Sequence, residues 1–136
     1  MHHMFLNGTA MSGQKHHNLI DGASLIGPAR TAARYRFVAI RDQFPALFPV
    51  REGGAAIIGE LYEMSDELLF GSLLPQEPPE LELGTIELED GRKVNAMLLR
   101  TDRLQRGDRV VDISALGDWR SYQRFLADND QIRSWL

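Results

Sequence analysis

Apolar positions fall in short runs bounded by glycine, proline or acidic turns, a pattern that predicts many strands and few helices. His2–Leu6 reads as a first strand and leads into the small-residue loop Asn7-Gly8-Thr9-Ala10-Met11-Ser12-Gly13. Gly8 and Gly13 are free to take positive φ or to let another backbone or a ligand come close. A short helix is expected over residues 15–20, stopped by Asp21-Gly22. Residues 23–40 are interrupted by Pro28, and within them Tyr35–Ile40 alternates as a half-buried strand does. The proline-bounded stretch 44–50 reads as an edge piece of the sheet, and residues 55–62 read as a central strand.

Ser65 is placed to cap a short helix, with Asp66 and Glu67 where the helix dipole favours acids, ending near residues 71–74. After the stiff loop Pro75-Gln76-Glu77-Pro78-Pro79, residues 81–89 and 93–99 flank Asp90-Gly91, the signature of a β-hairpin. Residues 102–112 are polar and read as loop or short helix. Asp118 caps a last helix with Trp119, Tyr122, Gln123 and Leu126 on one face. Residues 130–136 are expected to add one more turn, with Trp135 packed back onto the body. Strands dominate and do not alternate regularly with helices. The expected fold is therefore α+β, a small mixed or antiparallel β-barrel flanked by short helices.

Composition narrows the function. A chain of 136 residues fits one domain, residues 1–136, and 43% hydrophobic content supports a real core. A net charge of −4 argues against a nucleic-acid partner. No apolar run reaches the ~20 residues of a membrane helix and no signal peptide is evident, so a cytoplasmic location is expected. Cysteine is absent, which removes thiolate chemistry and disulfides. The histidines His2, His3, His16 and His17 lack convergent ligand spacing, so no metal is expected. No phosphate-loop or dinucleotide motif is present, so no cofactor is expected.

The candidate chemistry lies in two places. Successive N–H groups of Gly8, Thr9, Ala10 and Met11 suit an anion nest, to which Ser12 adds a hydroxyl. The bland reading of that loop is a tight strand-to-helix connection. Glu77, held between prolines, suits a proton shuttle if burial raises its pKa, and is otherwise an exposed loop acid. Arg34 and Arg36 share one strand face, with Tyr35 on the other. They suit a carboxylate clamp, or surface ion pairs, while Tyr35 lines the cavity or fills the core.

Five stretches, taken in order, carry a family resemblance. They are the loop 7–13, Arg30-Thr31-Ala32-Ala33-Arg34-Tyr35-Arg36, the segment 53–62 ending Gly59-Glu60-Leu61-Tyr62, Glu77-Pro78-Pro79-Glu80-Leu81, and the segment 84–92. Together they resemble the allophanate hydrolase carboxy-terminal domain and its free-standing, AIG2-like relatives in the γ-glutamylcyclotransferase-like superfamily. The resemblance covers roughly residues 5–126. It implies a β-barrel with a cavity at its mouth, lined by the loop after the first strand. It also implies backbone substrate contacts where Asn7, Gly8 and Thr9 stand, and a catalytic glutamate at Glu77. Together with the loop and strand readings above, the candidate substrate-binding set is Asn7, Gly8, Thr9, Ala10, Met11, Ser12, Tyr35 and Arg36.

The chain departs from both relatives. The cyclotransferases carry Tyr-Gly-Ser where Asn7-Gly8-Thr9 stands, and allophanate hydrolase domains commonly carry a histidine where Ala10 stands. The expected function is a small-molecule enzyme acting on a γ-glutamyl or related amide or carboxylate compound. A stand-alone domain acting on a carbamate-type product beside an amidase partner is the alternative. A further alternative is a non-catalytic scaffold that self-associates as a homodimer or docks on an amidase through Phe44, Leu47 and Phe48.

Overall fold

The alternating runs assemble into one mixed sheet, which the computed structural model describes over Met1–Leu136. Its strands are β1 (His2–Leu6), β2 (Ser24–Arg30), β3 (Tyr35–Ile40), β4 (Phe44–Pro49), β5 (Ile58–Met64), β6 (Leu81–Glu87), β7 (Lys93–Leu99) and β8 (Val110–Asp112). The strands run in the order β2-β5-β1-β7-β4-β3-β8, with β6 also paired to β7, and the sheet curls into a half-barrel. Two helical segments accompany it. One is α1 (Asp66–Leu68), which continues through a π-helical turn at Leu69–Leu73 and a 3-10 turn at Leu74–Gln76. The other is α2 (Trp119–Trp135). No helix is long and apolar enough to cross a membrane.

The inward faces of the strands supply the core. Phe5, Phe37, Leu47, Ile57, Leu61 and Trp119 are all at most 1% exposed. The caps act as the sequence predicts: Ser65 accepts from the Leu68 N–H, and Asp118 accepts from the Arg120 N–H. The β6–β7 hairpin forms around Asp90-Gly91 as expected, with Glu87 opposite Lys93 and only Gly91 of the pair at positive φ (90°).

Several expectations are corrected. The stretch 44–50 is no edge: β4 lies between β3 and β7. It meets β7 only at Leu47, away from both of its prolines. Phe44 and Leu47 are buried in consequence, 8% and 0% exposed, which removes them as a docking patch. Pro28 does not end its strand, because β2 is the terminal strand and one of its edges needs no partner. The residue 15–20 helix is a 3-10 turn at His17–Ile20, and the polar stretch 102–112 contains both a 3-10 turn and β8. Trp135 does not pack back. The last helix runs unbroken to it, and the side chain is 77% exposed.

Candidate functional site

A split in the sheet builds the site. Strand β7 carries β6 along one edge, while along the other β1 pairs at Asn95 and β4 at Leu98. Two strands sharing one edge must diverge, and the loop after β1 enters the gap. Gly8 sits against Pro45 so closely that a Cβ there would lie 2.8 Å from two ring carbons. Glycine is needed at this position for close approach. Positive φ belongs instead to Gly13 (75°), where the loop turns.

The loop is tied down by its carbonyls. The Gly8 carbonyl accepts from the Met11 N–H at 3.1 Å, and the Thr9 carbonyl accepts from the His16 N–H at 2.9 Å. The Ala10 carbonyl accepts from His17 Nδ1 at 2.9 Å. In each planar peptide the N–H of the next residue points away from its carbonyl. The N–H groups of Thr9 and Ala10 therefore point away from these anchors, and with that of Gly8 they meet no acceptor in the protein. Ser12 fixes the far end of the loop: its N–H and hydroxyl both donate to Glu60, at 2.7 and 2.6 Å. Its carbonyl accepts from Arg120 at 2.6 Å.

Glu77 approaches from the opposite side. The π-helical turn and the following 3-10 turn deliver it after Gln76, where the chain turns extended (ψ 146°). Such turns interrupt regular helix and recur at functional sites. Glu77 and the loop residues Asn7, Gly8, Thr9 and Ala10 line one small inner cavity of about 40 Å³, closed by Phe44 and Pro45. An adjoining outer cavity of about 290 Å³ shares Thr9, Ala10, Phe44 and Glu77, and adds Lys15, His16, Arg41 and Glu80. No cation or hydrogen-bond donor pairs with the Glu77 carboxylate, so burial alone acts on it and pushes its pKa up to about 7.

The structure thus brings together Glu77, Asn7, Gly8, Thr9 and Ala10, and separates the remaining candidates from them. Met11 is a core residue, 0% exposed, and Ser12 serves the loop's anchor. Tyr35 lines neither of these cavities; it is buried, and its hydroxyl accepts from the Glu87 N–H at 2.8 Å. Arg36 is turned to Asp112 and to the Gly53 carbonyl, and Arg34 to Glu87. The two arginines thus go to separate partners, and neither lines the inner or the outer cavity.

Arg41 and Glu80, which line the outer cavity, gave no sequence signal. Arg41 and Asp42 form the β3–β4 turn with φ of 52° and 57°, unusual for non-glycine residues. The strain is held by surrounding bonds. Arg41 donates to Glu80 (2.7 Å) and Asp108 (3.2 Å), and Asp42 accepts from Tyr122 (2.6 Å). Glu80 is itself buried, 7% exposed.

With this geometry described, comparison with known proteins is informative. Residues 2–124 match the family model described as the allophanate hydrolase C-terminal domain. The chain belongs to that family. A urea amidolyase from Lachancea kluyveri is 29% identical over 114 residues, 79% of this chain but 6% of that protein. This family member therefore corresponds to a small part of that relative. A uropathogenic E. coli-specific protein of known structure is 33% identical with a TM-score of 0.81, over 90% of this chain and 94% of that one. Kluyveromyces lactis allophanate hydrolase superposes at a TM-score of 0.81 and 24% identity, over 92% of this chain and 21% of that one. An AIG2-like protein from Mus musculus shares the fold at a TM-score of 0.59 and 22% identity, over 78% of this chain and 80% of that one.

Proposed function

We propose that this domain is a small-molecule enzyme in which Glu77 moves a proton while the Gly8–Thr9–Ala10 N–H groups hold an oxyanion. The observation that carries this reading is one cavity joining an unpaired, half-buried carboxylic acid to a row of free backbone donors. A pKa of about 7 keeps both protonation states populated near neutral pH, which suits a group that must accept and then return a proton. The outer cavity is at the lower end of ligand-pocket sizes, which favours a small substrate.

The reaction class is cyclotransfer on a γ-glutamyl or related amide. Glu77 takes a proton from the substrate's α-ammonium group as its nitrogen attacks the γ-carbonyl carbon. The new C–N bond closes the ring, and the loop N–H groups stabilise the oxygen's negative charge. The old amide C–N bond breaks as Glu77 returns that proton to the leaving nitrogen, and the ring nitrogen's remaining extra proton passes by the same route to the departing amine, leaving a neutral lactam N–H and an alkylammonium. The test is release of 5-oxoproline from a panel of γ-glutamyl amines. Turnover that disappears in a folded Glu77→Gln protein supports the reading, and no product from any member contradicts it.

Family membership favours a second reading, in which the same site acts on a carbamate-type product delivered by an amidase partner. Here the loop N–H groups hold the substrate carboxylate and Glu77 supplies the proton. Adding the protein to an amidase turning over allophanate tests it. A changed rate or product ratio supports this reading, and no change at any ratio of the two proteins counts against it.

A further inference from the structure

Glu77 borders a third space that neither reading uses. A groove of about 380 Å³ runs along the 77–79 loop, includes Glu77 in its wall and shares Pro78, Leu81 and Met97 with the inner cavity. Its lining differs in kind from that of the outer cavity. Leu74, Leu81, Leu83 and Met97 contribute apolar surface, and each is only half-buried. Leu83 and Met97 are direct cross-strand partners in the β6–β7 hairpin, so the apolar strip has a rigid floor. Arg100 and Arg103, at and just beyond the end of β7, are the groove's only cations.

Both guanidiniums are available. Arg103 is exposed and makes no ion pair, and Arg100 reaches only Glu82, at 3.9 Å. The Glu82 side chain is 59% exposed, and an open pair of this kind yields readily to another carboxylate.

We propose that this groove is a second binding subsite, taking an unbranched apolar chain that ends in a carboxylate. The chain lies on Leu81, Leu83 and Met97, and the carboxylate is held by Arg100 and Arg103. The match is one of charge and shape: an apolar strip, one free and one loosely paired guanidinium, and forked donors that fit a carboxylate. Because Glu77 is common to the groove and the catalytic cavities, the occupant is the distal arm of a substrate whose reacting amide lies at Glu77. That last step rests on the proposed function; occupancy of the groove does not.

The test therefore measures binding without turnover. Octanoate, butyrate and octylammonium are titrated into the whole protein, following the methyl resonances of Leu74 and Leu83, which line the groove and neither catalytic cavity. Octanoate is expected to shift these methyls saturably and to bind more tightly than either control. An Arg100→Gln/Arg103→Gln double variant is expected to bind octanoate roughly tenfold more weakly, the scale of one charge-assisted contact. Equal binding of octanoate and octylammonium, methyls that do not move, or unchanged affinity in the double variant overturns the proposal. A failed γ-glutamyl panel alongside saturable octanoate binding would remove the proposed reaction and leave the groove standing.

Discussion

Ser12 gives both its backbone N–H and its hydroxyl to the Glu60 carboxylate, at 2.7 and 2.6 Å. Tyr62 donates a third bond to that carboxylate at 3.1 Å, and Arg120 stands 3.6 Å away. This pair ties the loop after β1 to β5, and through Arg120 to the first turn of α2. The free donors of the loop can then hold their place without bonds of their own.

Replacing Glu60 with Ala is expected to destabilise the protein by about 2–3 kcal/mol, the usual range for removing hydrogen bonds to a partly buried charge. The bonds from Ser12 and Tyr62 and the charge of Arg120 hold the Glu60 pKa below its ordinary 4.5 despite burial. A lowered pKa contributes stability above the unfolded value and loses it as pH falls through the folded value. Urea denaturation at pH 7 and at pH 3 should therefore show the difference between wild type and variant shrinking in acid.

Glu77 has the opposite sign. Its folded pKa of about 7 exceeds the ordinary 4.5, so the folded protein binds this proton more tightly than the unfolded chain does. Stability falls as pH rises from 4.5 through about 7 and levels off above. Glu77→Gln is expected to stabilise the protein at pH 8 by up to about 3 kcal/mol, and to have little effect at pH 4. The same variant is expected to abolish turnover. A residue that weakens the fold while serving the reaction is a common compromise at active sites.

Gly8→Ala tests the packing of loop against strand. The added methyl meets Pro45 ring carbons at 2.8 Å, and a proline ring on a paired strand has little room to move. A loss of roughly 1–3 kcal/mol is expected by thermal or urea denaturation, in line with overpacked cores. A Gly8→Ala protein as stable as the wild type would show that the loop does not sit against β4.

Tyr35→Phe separates structure from function at a residue the strand reading had offered as either cavity lining or core. Its hydroxyl accepts from the Glu87 N–H, so its loss leaves a part-buried donor unpaired. A destabilisation of about 1–2 kcal/mol with unchanged turnover per folded molecule is expected. A specific loss of turnover would return Tyr35 to the site.

The strands and their turns were largely legible in the sequence. β1, β3 and β7 form over the expected residues because their signals are local: alternation, and a turn pair such as Asp90-Gly91. What stayed hidden depends on neighbours far along the chain. β4 looks like an edge until β3 and β7 close on it, and α2 gives no sign that its last turn leaves the body. The site divides in the same way. The glycine loop and Glu77 could be singled out by residue type and family pattern. Arg41 and Glu80 could not, because an Arg-Asp turn carries no mark of positive φ and a charged residue carries no mark of burial. The expected positions of Tyr35 and Arg36 failed for a related reason: alternation says which residues share a face, not which space that face meets.

The most direct test is the titration of the Glu77 carboxyl carbon by NMR in the intact protein, assigned by its loss in Glu77→Gln. A midpoint near 7 is predicted, well above the ordinary 4.5, because the unpaired carboxyl is largely withdrawn from water. A midpoint at or below 4.5 would mean that the group is solvated or paired, and the assignment of Glu77 as the proton-moving residue would fail.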